Sequence, residues 1–161
     1  MDVFEAKNRI SKAMVESIFR RARYQVSQYR RELPSFRFGR NEFSPDLEVR
    51  LEGEDPPKEF RLAVKYRPHI DQFLAVESQR GERSAFQMAR RHWPDLCFIF
   101  VTDRPEPGRS CFQAFPLWLY DPSTPCRSID LVEVKEAGIF PHNVRDHEEL
   151  ARRIFAALSG V

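Results

Sequence analysis

Apolar residues near the amino terminus recur at the spacing of an amphipathic helix. The stripe consists of Ile10, Met14, Ile18 and Ala22. Side chains four residues apart lie on one face of a helix, so the pattern predicts a helix over residues 4–22. Glu16 and Arg20 lie on another face of this helix, where we expect them to form an ion pair.

Alternating apolar and polar residues then predict three strands, over residues 24–29, 45–51 and 60–67. A turn rich in glycine and proline, residues 53–58, separates the last two strands and favours a hairpin. In the third strand Phe60, Leu62 and Val64 share one face. The opposite face carries Arg61, Ala63 and Lys65, because successive side chains point to opposite sides of a sheet.

The second half of the chain predicts further elements. Ser84 followed by Gln87 is typical of a capping box, which opens a helix that ends near Trp93. The apolar run 96–102 predicts a strand buried on both faces, and residues 111–117 predict another strand. Asp146 and Glu149 are interpreted as the acidic cap of a final helix.

The predicted order is α-β-β-β-α-β-β-α. A central mixed sheet with helices against its faces accommodates these elements, so we expect one α/β domain over residues 1–161.

Composition narrows the class of protein. Hydrophobic residues make up 42% of the chain, which favours a packed domain over a disordered one. The amino terminus has acids and no apolar signal core, and no apolar stretch is long enough to span a membrane, which predicts a cytoplasmic protein. Cys97, Cys111 and Cys126 fit neither a disulfide framework nor a zinc pattern, and the four histidines lack metal-ligand spacing.

The charged residues are unevenly distributed. One basic cluster contains Arg20, Arg21, Arg23, Arg30 and Arg31 with no acid between them, and a second contains Arg80, Arg83, Arg90 and Arg91. Such clusters attract phosphate backbones, although many are only solvated faces. The loop 79–83 precedes a helix and is a further candidate for phosphate contact, with an ordinary polar loop as the alternative.

Two short motifs lie on either side of the hairpin turn. Pro45-Asp46 begins the second strand, and Ala63-Val64-Lys65 lies in the third. In this order of elements, residues 4–102 resemble the PD-(D/E)XK nuclease superfamily, or restriction endonuclease-like proteins. The core of that superfamily is a helix, a three-stranded antiparallel meander, a helix and a further strand.

The resemblance implies a metal-dependent hydrolysis of phosphodiester bonds in DNA. Asp46 would hold Mg²⁺, which prefers oxygen ligands, and Lys65 would position the attacking water. The position two before the lysine should be Asp or Glu, but it is Ala63. The chain offers four substitute acids: Glu48 on the strand face of Asp46, Glu77 at the entry to the next helix as a second metal ligand, and Glu16 or Glu5 on the first helix.

Three functional interpretations stay open. In the first, the acid is relocated and the protein is a magnesium-dependent DNA endonuclease, with Arg20, Arg21, Arg23, Arg80 and Arg83 on the phosphate backbone. In the second, catalysis is lost and the nuclease-like fold binds DNA or protein. An accessory domain without a nucleic-acid partner is a third, less specific hypothesis. The sequence leaves the oligomeric state undetermined, and a homodimer is compatible with it.

A second motif, Glu133-Val134-Lys135, has Asp121 or Asp130 upstream. It lacks a following helix and buried strand, so we interpret it as an exposed edge strand.

Overall fold

The computed structural model describes residues 2–29 and 43–160. The α-helices in these ranges are α1 (Val3–Arg21), α2 (Ile70–Gln79), α3 (Ala85–His92) and α4 (Pro141–Leu158). The strands are β1 (Gln25–Gln28), β2 (Leu47–Leu51), β3 (Lys58–Tyr66), β4 (Leu96–Val101), β5 (Phe112–Pro116) and β6 (Ile129–Asp130).

The six strands form one sheet in the order of the sequence, β1 to β6. All neighbours are antiparallel except β3 and β4, which are parallel. A parallel pair needs a crossover connection, and α2 and α3 supply it. The predicted α/β class and the central mixed sheet flanked by helices are confirmed.

Each face of the sheet buries an apolar cluster. On one face, α1 and α4 pack against β3 through residues such as Ile18, Val64 and Phe155. On the other face, α2 and α3 pack through an aromatic cluster. The centroid of the Phe86 ring lies 4.4 Å from that of Phe115 and 5.1 Å from that of Phe98. Strand β4 is buried along its whole length because helices cover both of its faces, as its continuous apolar run predicts.

The helix α3 begins as its sequence predicts. Ser84 is its N-cap, and the Ser84 hydroxyl accepts a hydrogen bond from the Phe86 amide. The helix ends at His92, close to the predicted end. The first helix and the first five strands also lie within three residues of their predicted bounds.

Three local predictions are wrong. The helix α2 was not expected, and Glu77 lies inside it rather than at the entry to a helix. Helix α4 begins at Pro141, whose fixed φ suits a first helical turn, so Asp146 and Glu149 lie within the helix. Glu133 closes a short 3₁₀ turn after β6 rather than forming an edge strand.

Arg30 and Arg31 lie outside the described residues.

Within the ranges 2–29 and 43–160, none of the helices is both long enough and apolar enough to cross a membrane.

Candidate functional site

Strand β3 continues past the end of its neighbour β2. The paired register between them ends at Leu47 and Leu62, so the rest of β3 has no β2 residue opposite it. Side chains provide hydrogen-bond acceptors there. Asp46 Oδ2 accepts a hydrogen bond of 2.8 Å from the Val64 amide, and the Asn8 side chain of α1 accepts one of 3.0 Å from the Tyr66 amide. Asp46 therefore satisfies a backbone donor that β2 leaves unpaired.

The second oxygen of Asp46 is also occupied. Lys12 Nζ, from α1, lies 3.1 Å from Asp46 Oδ1. The Asp46 side chain is 17% exposed and the Lys12 side chain 38%. Both carboxylate oxygens thus have partners, one backbone amide and one ammonium group.

Ala63 lies where the motif requires an acid. Continuing the β2–β3 register by one residue places position 63 opposite Asp46. Ala63 is fully buried in the aromatic cluster under α2 and α3. Lys65 shares this face by strand alternation and is half-buried. A carboxylate at position 63 would have to be desolvated, which is costly without a compensating cation.

Glu16 and Glu48 each make an ion pair with an arginine. Glu16 Oε1 lies 2.8 Å from Arg20 on α1, as the helical spacing predicted, and α1 covers the face of the sheet opposite Ala63. Glu48 lies directly across the β2–β3 ladder from Arg61, at 3.6 Å. Arg61 in turn makes two bonds of 2.9 Å to Asp95. Glu5 pairs with Arg9 on the exposed surface of α1.

Glu77 is buried and has a structural role. Its carboxylate accepts hydrogen bonds from the Ala85 amide at 3.1 Å and the Ser84 hydroxyl at 3.3 Å. Arg80 pairs with its other oxygen at 3.2 Å. Glu77 therefore caps the first turn of α3, where a negative charge is favoured by the helix dipole.

Each candidate acid has polar partners of its own. Across residues 2–29 and 43–160, no three His, Cys, Asp or Glu side chains lie close enough together to hold a metal ion.

A second polar cluster lies further along β3, and the sequence reasoning missed it. The Lys7 ammonium lies 2.8 Å from Asp103 Oδ2, and the Tyr66 hydroxyl donates a 2.7 Å hydrogen bond to Asp103 Oδ1. Lys7 also lies over the Phe155 ring, at 5.7 Å. Lys7 falls on the buried stripe of α1, three residues before Ile10, so a charge on an apolar stripe was the available signal.

Electrostatics in this second cluster stabilise the charged form of Asp103. Burial of Asp103 opposes ionisation, but hydrogen bonds from Lys7 and Tyr66 outweigh it and hold the pKa of Asp103 below its ordinary value. Burial, followed by the bond to Asp103, raises the pKa of Tyr66 well above its usual range. The cluster is a satisfied ion pair that joins α1 to the ends of β3 and β4.

The arginines predicted to bind nucleic acid differ in their partners. Arg20 pairs with Glu16, Arg21 with Asp146 at 2.6 Å, and Arg80 with Glu77. Arg23 and Arg83 are exposed, and neither makes an ion pair within the described part of the chain. Arg83 ends the 3₁₀ turn between α2 and α3, whereas Arg23 follows α1, so the two groups belong to opposite faces of the sheet.

No family model, no curated protein and no solved structure matches this chain.

Proposed function

We propose that this chain is a non-catalytic relative of the PD-(D/E)XK nucleases that binds nucleic acid. The order of elements supports the relationship. Helix α1 precedes the antiparallel meander β1–β2–β3, helices α2 and α3 cross over, and β4 lies parallel to β3. Asp46 directly precedes β2 and Lys65 lies in β3, so the two residues belong to the two neighbouring strands that carry the motif. The β2–β3 register, continued by one residue, puts Ala63 opposite Asp46.

The loss of catalysis is inferred from a single observation, the environment of Asp46. Its two oxygens bind the Val64 amide and the Lys12 ammonium, so the carboxylate is already neutralised. Mg²⁺ requires near-octahedral oxygen coordination and is usually held by one or two carboxylates with water. A metal ion would have to displace Lys12 and would find no acid at position 63.

Nucleic acid is the favoured partner because exposed cations remain after the ion pairs are assigned. Arg23 and Arg83 are exposed and make no ion pair among the described residues, and each adjoins further arginines. Guanidinium groups bind phosphate with two parallel hydrogen bonds. Phosphate contacts release counterions, so binding should weaken steeply as salt increases.

The test combines binding and cleavage. Fluorescence anisotropy with labelled single-stranded and duplex DNA, over a series of salt concentrations, should show saturable binding with a negative salt slope. Plasmid and single-stranded DNA should remain intact with Mg²⁺ or Mn²⁺. Binding that is absent at low salt would contradict the nucleic-acid proposal.

The same assay decides the competing enzymatic function. A magnesium-dependent DNA endonuclease would cleave the plasmid, and the Asp46→Ala and Lys65→Ala variants would each lose that cleavage. Such a result would replace the non-catalytic proposal and would mean that Glu48 or another acid moves to the metal when DNA binds.

A further inference from the structure

A surface pocket of about 110 Å³ lies between the end of α1 and the start of α4. Its lining residues are Arg21, Ala22, Arg23, Phe140, His142 and Asn143. The two helices are joined beneath it, because the Asn143 amide group donates to the Ile18 carbonyl at 3.0 Å. The pocket therefore has a fixed floor and an aromatic and cationic rim.

Phe140 provides an exposed flat surface at this rim. Its side chain is 66% exposed, more than any other large hydrophobic residue that the structure describes. The ring stacks on His142, with the centroids 6.0 Å apart and the planes inclined by 23°. Phe140 has no part in either apolar cluster. An aromatic face of this kind can stack on a nucleic-acid base of any sequence.

Arg23 provides an unneutralised cation beside the ring. Its backbone has φ of 73°, a left-handed conformation unusual for a residue with a side chain. Its neighbour Arg21 is paired with Asp146, whereas no partner of Arg23 is found in residues 2–29 and 43–160. The Arg23 guanidinium is therefore available to a phosphate.

Asn143 adds an unsatisfied acceptor to the pocket wall. The residue is 2% exposed, and its Nδ2 is held by Ile18. Its Oδ1 has no hydrogen-bond partner among the described residues. This oxygen is itself enclosed, so Asn143 forms part of the wall of the pocket and is not a contact for a ligand.

We propose that this pocket binds one nucleotide of a single-stranded nucleic acid, with its base stacked on Phe140 and an adjacent phosphate on Arg23. The inference rests on the proposed nucleic-acid function and specifies which strand form the domain prefers. A duplex keeps its bases stacked inside the helix, so it cannot offer a base face to the Phe140 ring.

Two variants test the proposal without disturbing the core. Phe140→Ala removes the exposed ring. Arg23→Gly removes the guanidinium at a φ that glycine adopts freely, so the backbone should be retained. Leu150→Ala is the control, because Leu150 is an exposed hydrophobic residue in α4 that lies outside the pocket. The probes are labelled oligothymidylate, labelled oligouridylate and a duplex DNA.

Stacking on one aromatic ring changes affinity by about 1–3 kcal/mol, so Phe140→Ala should weaken single-strand binding by about 5- to 150-fold. Arg23→Gly should also weaken it and should reduce the salt slope by about 0.7, the value for one phosphate contact of a single strand. Leu150→Ala should bind like the wild type. Comparison of the two oligonucleotides shows whether DNA or RNA is the preferred source.

Two results would overturn the pocket assignment while leaving the proposed function intact. One is single-strand binding that Phe140→Ala and Arg23→Gly leave unchanged. The other is a preference for duplex DNA that is insensitive to Phe140. Failure of the wild type to bind any of the three probes would overturn the proposed function together with this inference.

Discussion

Two lysine–aspartate pairs join α1 to the sheet, and they differ in how completely they are enclosed. Lys7 and Asp103 are 9% and 17% exposed, and Tyr66 completes the coordination of the carboxylate. Lys12 and Asp46 are 38% and 17% exposed, and a backbone amide is the third partner. The first pair is a closed structural contact. The second remains more accessible to solvent, since the Lys12 side chain is 38% exposed.

Helix α1 supplies the lysine of both pairs. Lys7 and Lys12 are five residues apart on α1, and their partners follow β4 and precede β2 respectively. Asn8 lies between them and caps the Tyr66 amide. The end of β3 is therefore held by α1 through three polar side chains. The accessible pair is inferred to replace a metal ion, and the enclosed pair to set the position of the helix.

The largest expected effect is on the enclosed pair. Asp103→Ala should lower the free energy of unfolding by about 3 kcal/mol, because it leaves the Lys7 ammonium buried without its counter-charge. Denaturant unfolding followed by circular dichroism measures this change. The double variant Lys7→Met with Asp103→Asn is the control and should recover part of the loss. Equal losses in both proteins would contradict the assigned role of the charge pair.

The second-largest loss of stability is expected on acidification, which acts on the same pair. Protonation removes the charge of Asp103 but keeps its side chain. The folded state holds the pKa of Asp103 below its unfolded value, so the unfolded chain takes up the proton first. The contribution is present at neutral pH and is lost as pH falls from about 5 through the lower folded pKa. Thermal unfolding over this range should show a smaller acid dependence in Asp103→Asn than in the wild type. The same dependence in both would contradict the assignment.

Removal of the Asp46 carboxylate should lower the free energy of unfolding by less than removal of Asp103. Asp46→Ala leaves the Val64 amide without an acceptor, and such a group costs about 1–3 kcal/mol, while the half-exposed Lys12 can be hydrated. Asp46→Asn keeps an acceptor oxygen and should retain most of the stability. The two denaturation curves measure the difference. An equal loss in both variants would show that the charge, rather than the amide cap, determines the stability of this region.

The smallest effect is expected for Lys12→Ala. Partly exposed ion pairs contribute under about 1 kcal/mol, so the free energy of unfolding should change little. The same denaturant unfolding measures it. A loss of unfolding free energy comparable to that of Asp103→Ala would show that the two pairs contribute equally to stability, which would contradict the difference drawn between them.

Local patterns in the sequence predicted much of the fold. Apolar residues four positions apart predict helix α1, and alternating apolar and polar residues predict strand β3. Both patterns can be recognised within the segment itself, without knowledge of the rest of the chain. The helix α2 was missed, since Phe73, Leu74 and Val76 form a short apolar run that does not distinguish a helix from a strand. Asp146 and Glu149 predict a later start for α4 than the structure has, because Pro141 already fits the first turn of the helix.

The candidate site was less predictable, for a different physical reason. Asp46 and Lys65 could be selected because they flank one hairpin. The partners of Asp46 could not, because Lys12 comes from a helix 34 positions earlier in the chain and only the packed structure brings it to the strand. The role of Glu77 depends in the same way on the path between α2 and α3, which places its carboxylate at the Ala85 amide.

We propose that the ammonium of Lys12 takes the place of a divalent metal at Asp46. Calorimetric titration of the wild-type protein with Mn²⁺ tests it most directly. The account predicts no saturable binding in the micromolar range, in the wild type as in Asp46→Ala. Micromolar binding to the wild type that Asp46→Ala abolishes would contradict this proposal and would favour a metal-dependent function instead.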